Sequence, residues 1–474
     1  MRILLLQPRP SKGPVFKQLI QTEPLGLEVV AASLSEHEVR ILDLFNDRRL
    51  TNEITAFKPD VVGISCSFTV DVYKTLAIAQ LVKTTKPDVF LFIGGHHASL
   101  KPEDFYHPAI DAVVIGDGEA AAPYLVNALE RGEDLTKVAG LAVNTPEGQV
   151  LTPERPLVVD LDEVPIPNRE LTKRYRNKYY LGTRRPFNLM ETSRGCPYHC
   201  NFCSIWRFHR GKIRFMSPER VVEEVKTLPP GDVLFTDDNF LIDIDRSFKI
   251  ADLIARSKLP RRRYIFQARS DTIIKHPDVI KKWAEVGLDN VFIGFEKIDQ
   301  DGLNAINKRN SVQNNEKALK FLQSLNIGVY ASFIVDPQFT RQEFRKLIEY
   351  VRRLKISQPY FSVLTPLPGT ELYQQVKERI TTMNYNLYDL LHAVLPTKIS
   401  VNQFYQEFAN LYRKTYLSSR NTAGTLKWFI TRLISGKLSL SHLLKLLEGI
   451  RLTTDYRAYL TPEICPCGTW KEEK

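Results

Sequence analysis

Short apolar runs rich in β-branched residues alternate with helical patterns at the start of the chain. The predicted strands are residues 2–6, 37–42, 60–65, 89–93 and 112–115, and the predicted helices are residues 24–34 and 71–84. Strands that alternate with helices indicate a parallel, doubly wound α/β sheet. Such sheets bind ligands at the carboxyl ends of their strands, so residues 1–130 are predicted to form a ligand-binding domain.

Small residues occupy the carboxyl ends of these predicted strands, namely Ser65, Gly94, Gly95, Gly116 and Gly118. Because glycine has no side chain, it lets a bulky ligand come close to the backbone. No G-x-G-x-x-G motif opens the first helix, which argues against a nicotinamide cofactor.

Residues 131–186 are predicted to form a linker, because five prolines lie among short apolar pieces between positions 141 and 170. Residues 141–144 and 149–151 flank Thr-Pro-Glu-Gly and look like a small hairpin. Pro165 and Pro167 indicate an extended crossing between domains.

A second series of strand and helix patterns covers residues 187–370. The predicted strands are residues 188–192, 232–235, 263–267, 290–293, 328–335 and 360–364, and the predicted helices are residues 218–228, 276–285, 313–324 and 341–354. Six strand–helix units in sequence indicate a parallel (β/α)6 barrel that is open on one side. Its chemistry is expected at the carboxyl ends of the strands.

Residues 371–474 are predicted to be helical, over 388–394, 403–416, 425–434 and 438–450. The last two helices are amphipathic and carry interspersed Lys and Arg. They pack on the barrel, shape a substrate pocket with Tyr388 and His392, or rest on a membrane interface. The tail contains Cys465 and Cys467, which either bind metal, do thiol chemistry or stay idle.

Composition places the chain among ordinary globular proteins, with 474 residues, 43% hydrophobic and 25% charged. The first apolar run is too short for a signal peptide, and no stretch approaches the length of a spanning helix. We therefore expect a cytoplasmic protein, with the inner face of the membrane as an alternative location. The net charge of +11 favours a membrane surface or phosphate-bearing ligands, because no nucleic-acid module is visible.

Three of the six cysteines follow the first predicted barrel strand, at C-x3-C-x2-C spacing: Cys196, Cys200 and Cys203. Thiolates at close spacing select zinc, copper(I) or an iron–sulfur cluster. A [4Fe-4S] cluster normally takes four cysteines, so three would leave one iron open to a small molecule. The alternatives are a zinc knuckle and three buried thiols.

The cysteine loop resembles the signature of the radical S-adenosylmethionine (SAM) enzymes. The resemblance implies that Cys196, Cys200 and Cys203 hold a [4Fe-4S] cluster whose open iron chelates the methionine part of SAM. In that family an electron from the cluster cleaves SAM and releases a 5′-deoxyadenosyl radical, so an external electron donor is implied. Phe202 is expected to lie along the adenine.

The predicted barrel strands end in residues that match the SAM-binding places of this family. Asp237, Asp238 and Asn239 occupy the region that holds the methionine ammonium, and an ammonium needs oxygen acceptors. Arg269 is expected either to pair with the SAM carboxylate or to order Glu296. Glu296 lies where the family has a ribose or amino contact. The alternative for each residue is an ordinary ion pair at the rim of the barrel.

Blocks in the first domain resemble the cobalamin-binding domain that precedes many radical SAM enzymes. These blocks are Val-Gly-Ile-Ser, Ile-Gly-Gly-His-His-Ala-Ser and Val-Val-Ile-Gly-Asp-Gly-Glu. The resemblance implies that the small residues at the strand ends cradle the nucleotide tail and the corrin. The D-x-H-x-x-G block that supplies a cobalt ligand elsewhere is absent, so His96 or His97 either replaces that ligand or contacts the corrin rim. The remaining alternative is a domain that binds no cofactor.

Together these resemblances, over residues 1–370, imply a cobalamin-dependent radical SAM enzyme. Residues 333–340, 364–370 and 389–397 are similar to hopanoid C-3 methylases, which implies methylation of an unactivated carbon of a lipid. The alternatives are a non-methylating enzyme of the oxidative cyclase type and a non-catalytic cobalamin sensor. The expected partners are a small-molecule or lipid substrate and the electron donor, without nucleic acid and with peripheral membrane contact left open.

Overall fold

The computed structural model describes residues 1–9, 20–416 and 440–460. Within these ranges the chain forms two α/β units, each built on its own sheet, and a helical region that follows them. The predicted helix at 425–434 and the pair Cys465 and Cys467 lie outside the described residues. The predicted boundaries of the four regions stay predictions.

The first sheet contains seven strands, of which the first five are parallel. In chain order they are Arg2–Gln7, Glu38–Asp43, Val61–Ser65, Phe90–Gly94, Ala112–Val114, Leu141–Thr145 and Gly148–Leu151. The second strand lies on one side of the first and the third lies on the other side, so the order reverses at the first strand. This reversal is the place where doubly wound sheets open a ligand crevice. The last two strands form the predicted hairpin and join the sheet edge in antiparallel pairing.

Helices cover the first sheet over Leu25–Ser33, Leu50–Phe57, Val72–Thr85, His96–Leu100 and Gly118–Arg131. The second, the fourth and the last of these were not predicted. The last begins with a glycine and contains Pro123, and both residue types disfavour helix interiors. Its buried face, which includes Leu125 and Val126, packs into the first unit and overrides those local preferences.

The second sheet contains six parallel strands in sequential order. They are Phe187–Met190, Asp232–Phe235, Tyr264–Gln267, Leu288–Glu296, Gly328–Val335 and Gln358–Val363. Helices Pro218–Thr227, Ile244–Arg256, Pro277–Val286, Val312–Ser324 and Arg341–Arg353 alternate with them, and the second of these was not predicted. The predicted fold class, a doubly wound domain followed by a partial (β/α)6 barrel and a helical end, is confirmed.

The helical region closes the free edge of the sixth barrel strand. Tyr412, on helix Val401–Tyr416, donates a hydrogen bond to the Phe361 carbonyl at 2.6 Å and accepts one from the Phe361 amide at 3.2 Å. A covered edge cannot pair with another chain. Helix Leu440–Thr454 and the short helix Arg457–Leu460 follow. Across the described ranges, no helix combines the length and apolar character needed to cross a membrane.

The predicted helix at 388–394 is wrong, because this segment consists of turns. The carboxylate of Asp389 accepts hydrogen bonds from the amides of Leu391 and His392 at 3.0 and 3.1 Å. Leu390 has a left-handed φ of 63°. A side-chain acceptor that takes nearby amides competes with helical hydrogen bonds, and the sequence pattern did not reveal this competition.

A cluster of buried charges joins the two α/β units through the linker. Arg169 contacts Glu23 of the first unit at 3.6 Å and Glu224 of the second at 3.0 Å. Arg176 contacts Glu23 and also Glu28, the latter at 3.7 Å. Buried carboxylates and guanidinium groups need such partners, so this cluster holds the units in one relative position.

Candidate active site

The three cysteines lie on the loop after the first strand of the second sheet. Cys200 is buried, and Cys196 and Cys203 are partly buried. Burial raises the pKa of each thiol, to about 12 for Cys203. The neighbouring cysteines raise the pKa of Cys196 and Cys203 further. Without a metal the thiols are therefore neutral. A positively charged group bound to the sulfurs is needed to stabilise the thiolate form.

Side-chain hydrogen bonds hold this loop against the segment that follows the fourth barrel strand. The Asn201 side chain donates to the Ala305 carbonyl at 3.0 Å, and the Asn307 side chain donates to the His199 carbonyl at 2.6 Å. Gly195, just before the first cysteine, has a φ of 95°, and a Cβ there would lie 2.1 Å from the Lys212 carbonyl oxygen. The loop conformation therefore requires glycine at this position.

Asp237 is buried behind the start of the loop and is fully engaged by it. Its carboxylate accepts from the amide and the hydroxyl of Thr192, at 2.7 and 2.6 Å, and from the hydroxyl of Ser193 at 2.5 Å. These bonds fix the residues that lead into the cysteines. Asp237 therefore stabilises the conformation of the loop.

Asp238 and Asn239 offer acceptors that the protein does not use fully. Asp238 Oδ2 accepts from the Gly195 amide at 2.8 Å, and burial raises the pKa of this carboxyl to about 7. Asn239 is buried, and its Oδ1 has no hydrogen-bond partner. An unpaired buried acceptor is costly by about 1–3 kcal/mol, so a ligand that carries an ammonium would complete this pair of residues.

Arg269 is buried at the end of the third barrel strand, and its donors are already in use. It forms two hydrogen bonds to Asp271, at 3.0 and 2.8 Å, and donates to the carbonyls of Lys308 and Arg309. Its guanidinium lies 3.6 Å from the ring centroid of Tyr198, inside the cysteine loop. Arg269 thus ties the loop to the turn at residues 308–309.

Glu296 is ordered by Lys308 and not by Arg269, so the second of the two alternatives expected for Arg269 is wrong, and pairing with the SAM carboxylate stays a prediction. Lys308 Nζ lies 2.7 Å from Glu296 Oε1, and both side chains are largely buried. Glu296 has a left-handed φ of 60°, a strained conformation that is typical of functional sites. At Gly294, a Cβ would lie 2.0 Å from Glu296 Oε1, so a side chain there would displace the pair. Sequence reasoning missed Lys308, which lies in a segment without periodicity.

The carboxyl ends of the first sheet present the predicted small residues. Ser65 and Gly94 are paired in adjacent strands. Gly95 has a φ of 123°, and a Cβ there would lie 2.6 Å from the Cys66 carbonyl oxygen. Gly116 has a φ of 85° and open space where its Cβ would be, which fits a surface that receives a ligand. Gly118, the last residue of the predicted set, is the first residue of helix Gly118–Arg131.

His96 and His97 face different partners. His96 Nε2 lies 2.8 Å from the hydroxyl of Ser204, the residue after the third cysteine, and burial lowers the pKa of His96 to about 4. His97 is engaged at both nitrogens, by Thr69 at 3.0 Å and by Asp104 at 2.9 Å. Both nitrogens of His97 therefore bond within the first unit, whereas His96 connects the two units.

Phe202 is half-buried within the cysteine loop.

A chain of charged residues connects the two sets of strand ends, and the sequence did not predict it. Asp117, at the end of the first sheet, contacts Arg194 at 3.1 Å and Arg214 at 2.5 Å. Arg194 also pairs with Glu119, and Arg214 donates to His209 Nδ1 at 2.9 Å. Arg194 and Arg214 are 77 and 97 positions from Asp117 along the chain, so no local pattern could reveal these contacts. The cysteine loop and the first sheet thus face each other.

Comparison with known proteins agrees with this arrangement. The family model described as the B12 binding domain matches residues 18–126, and the model of the radical SAM superfamily matches residues 190–351. The solved structure of the cobalamin-dependent SAM radical enzyme OxsB aligns with 97% of this chain and 74% of its own, with a TM-score of 0.68. At 17% identity, this likeness shows the shared fold alone.

Two curated relatives cover most of the chain. The hopanoid C-3 methylase of Methylococcus capsulatus is 35% identical in an alignment of 426 residues that covers 88% of this chain and 80% of that protein. The anaerobic magnesium-protoporphyrin IX monomethyl ester cyclase of Rubrivivax gelatinosus is 25% identical in an alignment of 409 residues that covers 84% of this chain and 71% of that protein. The family and the cofactors predicted from the motifs are confirmed. The chain belongs to the radical SAM superfamily, among the members with a B12-binding domain, and it is an enzyme that works with SAM, a [4Fe-4S] cluster and cobalamin.

Proposed function

We propose that this enzyme methylates an unactivated carbon of a lipid, such as a hopanoid. The observation that carries the proposal is the 35% identity to a hopanoid C-3 methylase over 88% of the chain. The cluster and SAM supply hydrogen abstraction from carbon, and cobalamin supplies the methyl group. The task left to the protein is to bind and orient these groups and to exclude water.

Cys196, Cys200 and Cys203 hold the cluster in this proposal. The assignment is supported by the C-x3-C-x2-C spacing and by the match of residues 190–351 to the radical SAM family model. The raised thiol pKa values also fit a cationic cluster that stabilises the thiolates.

Asp238 and Asn239 receive the ammonium of SAM, while Asp237 keeps the loop in shape. The assignment is supported by the unpaired Oδ1 of Asn239 and by the high pKa of Asp238, which a neighbouring cation would lower. Glu296, held by Lys308, remains the candidate for a ribose or amino contact. Phe202 is assigned to the adenine.

The small residues at the carboxyl ends of the first sheet receive cobalamin. They are Ser65, Gly94, Gly95, Gly116 and Gly118, with His96 beside them. The left-handed backbone and open space at Gly116 support this assignment. The bond from His96 to Ser204 supports a position at the rim of the cofactor.

A lipid substrate fits two features of the chain, its positive charge and its exposed apolar side chains. The net charge is +11, and Leu444 and Leu447 of helix Leu440–Thr454 are 58% and 49% exposed. Exposed leucines beside basic residues favour contact with anionic lipid. An inner membrane face as the site of action is part of this proposal.

The test is an anaerobic reconstitution with cobalamin, a reductant and a hopanoid-containing lipid extract. Formation of both 5′-deoxyadenosine and S-adenosylhomocysteine, together with a lipid heavier by one methylene, is the expected result. Deoxyadenosine without S-adenosylhomocysteine would instead indicate a non-methylating, cyclase-like enzyme. A strain that lacks the gene and keeps every methylated lipid of its parent would contradict the lipid assignment. The non-catalytic sensor loses support, because the chain belongs to an enzyme superfamily.

A further inference from the structure

We propose that His209 is a positioning residue that holds Asp238 ready for the SAM ammonium, and that Arg214 and Asp117 set the orientation and tautomer of its ring. The inference rests on the proposed role of Asp238. It adds a residue outside the cysteine motif and the strand ends, and it links the SAM site to the B12-binding unit.

The tautomer of His209 follows from its neighbours. Arg214 Nη2 lies 2.9 Å from His209 Nδ1. A guanidinium can only donate, so Nδ1 must carry the lone pair and accept. The single ring proton is therefore on Nε2, which faces Asp238 Oδ2 at 3.6 Å. Contacts of this kind are often long before the substrate binds and shorten in the complex.

Arg214 is itself fixed from the other unit. Its Nη1 lies 2.5 Å from Asp117 Oδ2 and 2.9 Å from the Val158 carbonyl, and its Nη2 lies 3.3 Å from Asp117 Oδ1. The side chain is 3% exposed, so water does not compete for these donors. The direction of the bond to His209 is therefore determined by an acid at the end of the first sheet.

The neutral state of His209 matters for ligand binding. Burial and the Arg214 charge lower the pKa of His209 to about 3, so the ring stays uncharged at working pH. A neutral donor orients the Asp238 carboxylate without cancelling its negative charge. A charged imidazolium in the same place would compete with the ammonium of SAM.

Two substitutions at this position separate the roles of the ring nitrogens. In His209→Gln the amide nitrogen reaches the place of Nε2 and can still donate to Asp238. In His209→Asn the shorter amide reaches only the place of Nδ1, so it can serve Arg214 but not Asp238. SAM binding is measured by equilibrium dialysis on the anaerobically reconstituted enzyme with its oxidised cluster. We expect the Kd to stay within about threefold for Gln and to rise about tenfold or more for Asn.

The control is His107→Asn, because His107 Nδ1 accepts a hydrogen bond from the Ala109 amide within the first unit. It should leave the Kd for SAM unchanged. Equal weakening by Gln and Asn at position 209 would indicate a merely structural role and would overturn the proposal. An unchanged Kd in both variants would overturn it as well.

A second measurement does not depend on SAM. Nitrogen-15 NMR of the histidine-labelled full chain before cluster loading should report the Nε2–H tautomer for His209, without titration between pH 5 and 8. An Nδ1–H tautomer would contradict the geometry. Asp238→Asn tests the proposed role of Asp238 separately. If this variant leaves the Kd for SAM unchanged, Asp238 does not bind the ammonium. The NMR measurement of the His209 tautomer is independent of that outcome.

Discussion

Asp237 and Asp238 are neighbours in the chain, but their carboxylates serve different partners. The first accepts three hydrogen bonds from Thr192 and Ser193, and the second accepts one from Gly195. Because the first is saturated, only the second retains capacity for a cationic ligand. Of these two adjacent aspartates, Asp237 thus stabilises the loop and Asp238 is available to bind a ligand.

SAM binding should depend on pH through Asp238. Burial raises the pKa of its carboxyl to about 7, so the group is partly protonated at neutral pH. An ammonium prefers the carboxylate, and the affinity should therefore increase as pH rises from 6 to 8. Below the pKa, the Kd should change by up to about tenfold per pH unit. Equilibrium dialysis across this range checks the prediction, and the dependence should flatten in Asp238→Asn.

Removal of Lys308 should destabilise the protein. Lys308→Met leaves the carboxylate of Glu296 buried beside an apolar side chain, and breaking a buried ion pair costs about 3 kcal/mol. The free energy of unfolding in urea, followed by tryptophan fluorescence, measures this loss. Lys320→Met, at an exposed position of helix Val312–Ser324, is the matched control and should change little. The double variant Glu296→Gln with Lys308→Met should regain part of the stability, and no recovery would contradict the pairing.

At the level of elements, three helices of the second unit begin at residues that carry a clear local signal. Thr340 precedes helix Arg341–Arg353, and its amide donates to Glu343 Oε2 at 2.6 Å in a capping box. Ser217 and Ser311 cap their helices in a similar way, by accepting an amide hydrogen from the first turn. These local signals explain why the predicted starts of these helices agree with the structure to within a residue.

Loss of the cap at Thr340 should weaken the second unit. Thr340→Ala removes the hydroxyl that takes part in the capping box and that donates to Glu343 Oε2 at 2.9 Å. The expected loss in the free energy of unfolding is about 1 kcal/mol. The helix packs Phe344 and Leu347 into the core, so fraying at its start is felt there. Thr84→Ala, at an exposed position in the last turn of a helix, serves as the control and should have no more than about half this effect. Equal losses in the two variants would argue against the cap.

At the level of the whole molecule, buried charge joins the two α/β units. One cluster surrounds Arg169 and Arg176, and the other runs from Asp117 through Arg214 to His209. The first lies at the linker and the second at the facing strand ends. In each cluster, acidic and basic side chains are buried together as pairs. Because each pair forms only when the two units are correctly placed, the clusters make the relative position of the units specific.

Stability should respond to pH through Glu28 in the linker cluster. Burial, with the nearby charge of Glu23, raises the pKa of Glu28 to about 8, far above its value in an unfolded chain. The folded protein therefore binds a proton that the unfolded chain releases, and stability should fall as pH rises from 5 to 8. Glu28→Gln should reduce this fall, because glutamine imitates the protonated acid.

Urea denaturation at several pH values measures the effect of Glu28. Glu170→Gln is the control, since Glu170 is exposed and pairs only with exposed Lys173 among the contacts of the described residues. The control should keep the pH dependence of the wild type. An unchanged slope in Glu28→Gln would mean that Glu28 is ionised in the folded protein.

Much of the fold was predictable because its signals are local. Apolar runs of strand length, cap residues and glycines lie within a few positions of one another, and they identified both sheets and all the barrel strands. Helices Leu50–Phe57, His96–Leu100, Gly118–Arg131 and Ile244–Arg256 were not predicted, and neither were the turns at 388–394. Gly118 and Pro123 weaken the helical signal of Gly118–Arg131, where packing decided the outcome. At 388–394 the Asp389 carboxylate takes amides that a helix would use.

The sequence by itself determined the fold class, the family and the cofactors, because the cysteine spacing and the glycine-rich strand ends are short motifs with specific chemistry. Only the tertiary structure decided which of the two neighbouring aspartates retains capacity to accept hydrogen bonds. It also decided that Lys308 and not Arg269 orders Glu296, and that Asp117 is connected to His209 through Arg214. Those contacts join residues far apart in the chain. Their geometry depends on how the two sheets face each other. The periodicity and spacing of residues along the sequence do not contain that information.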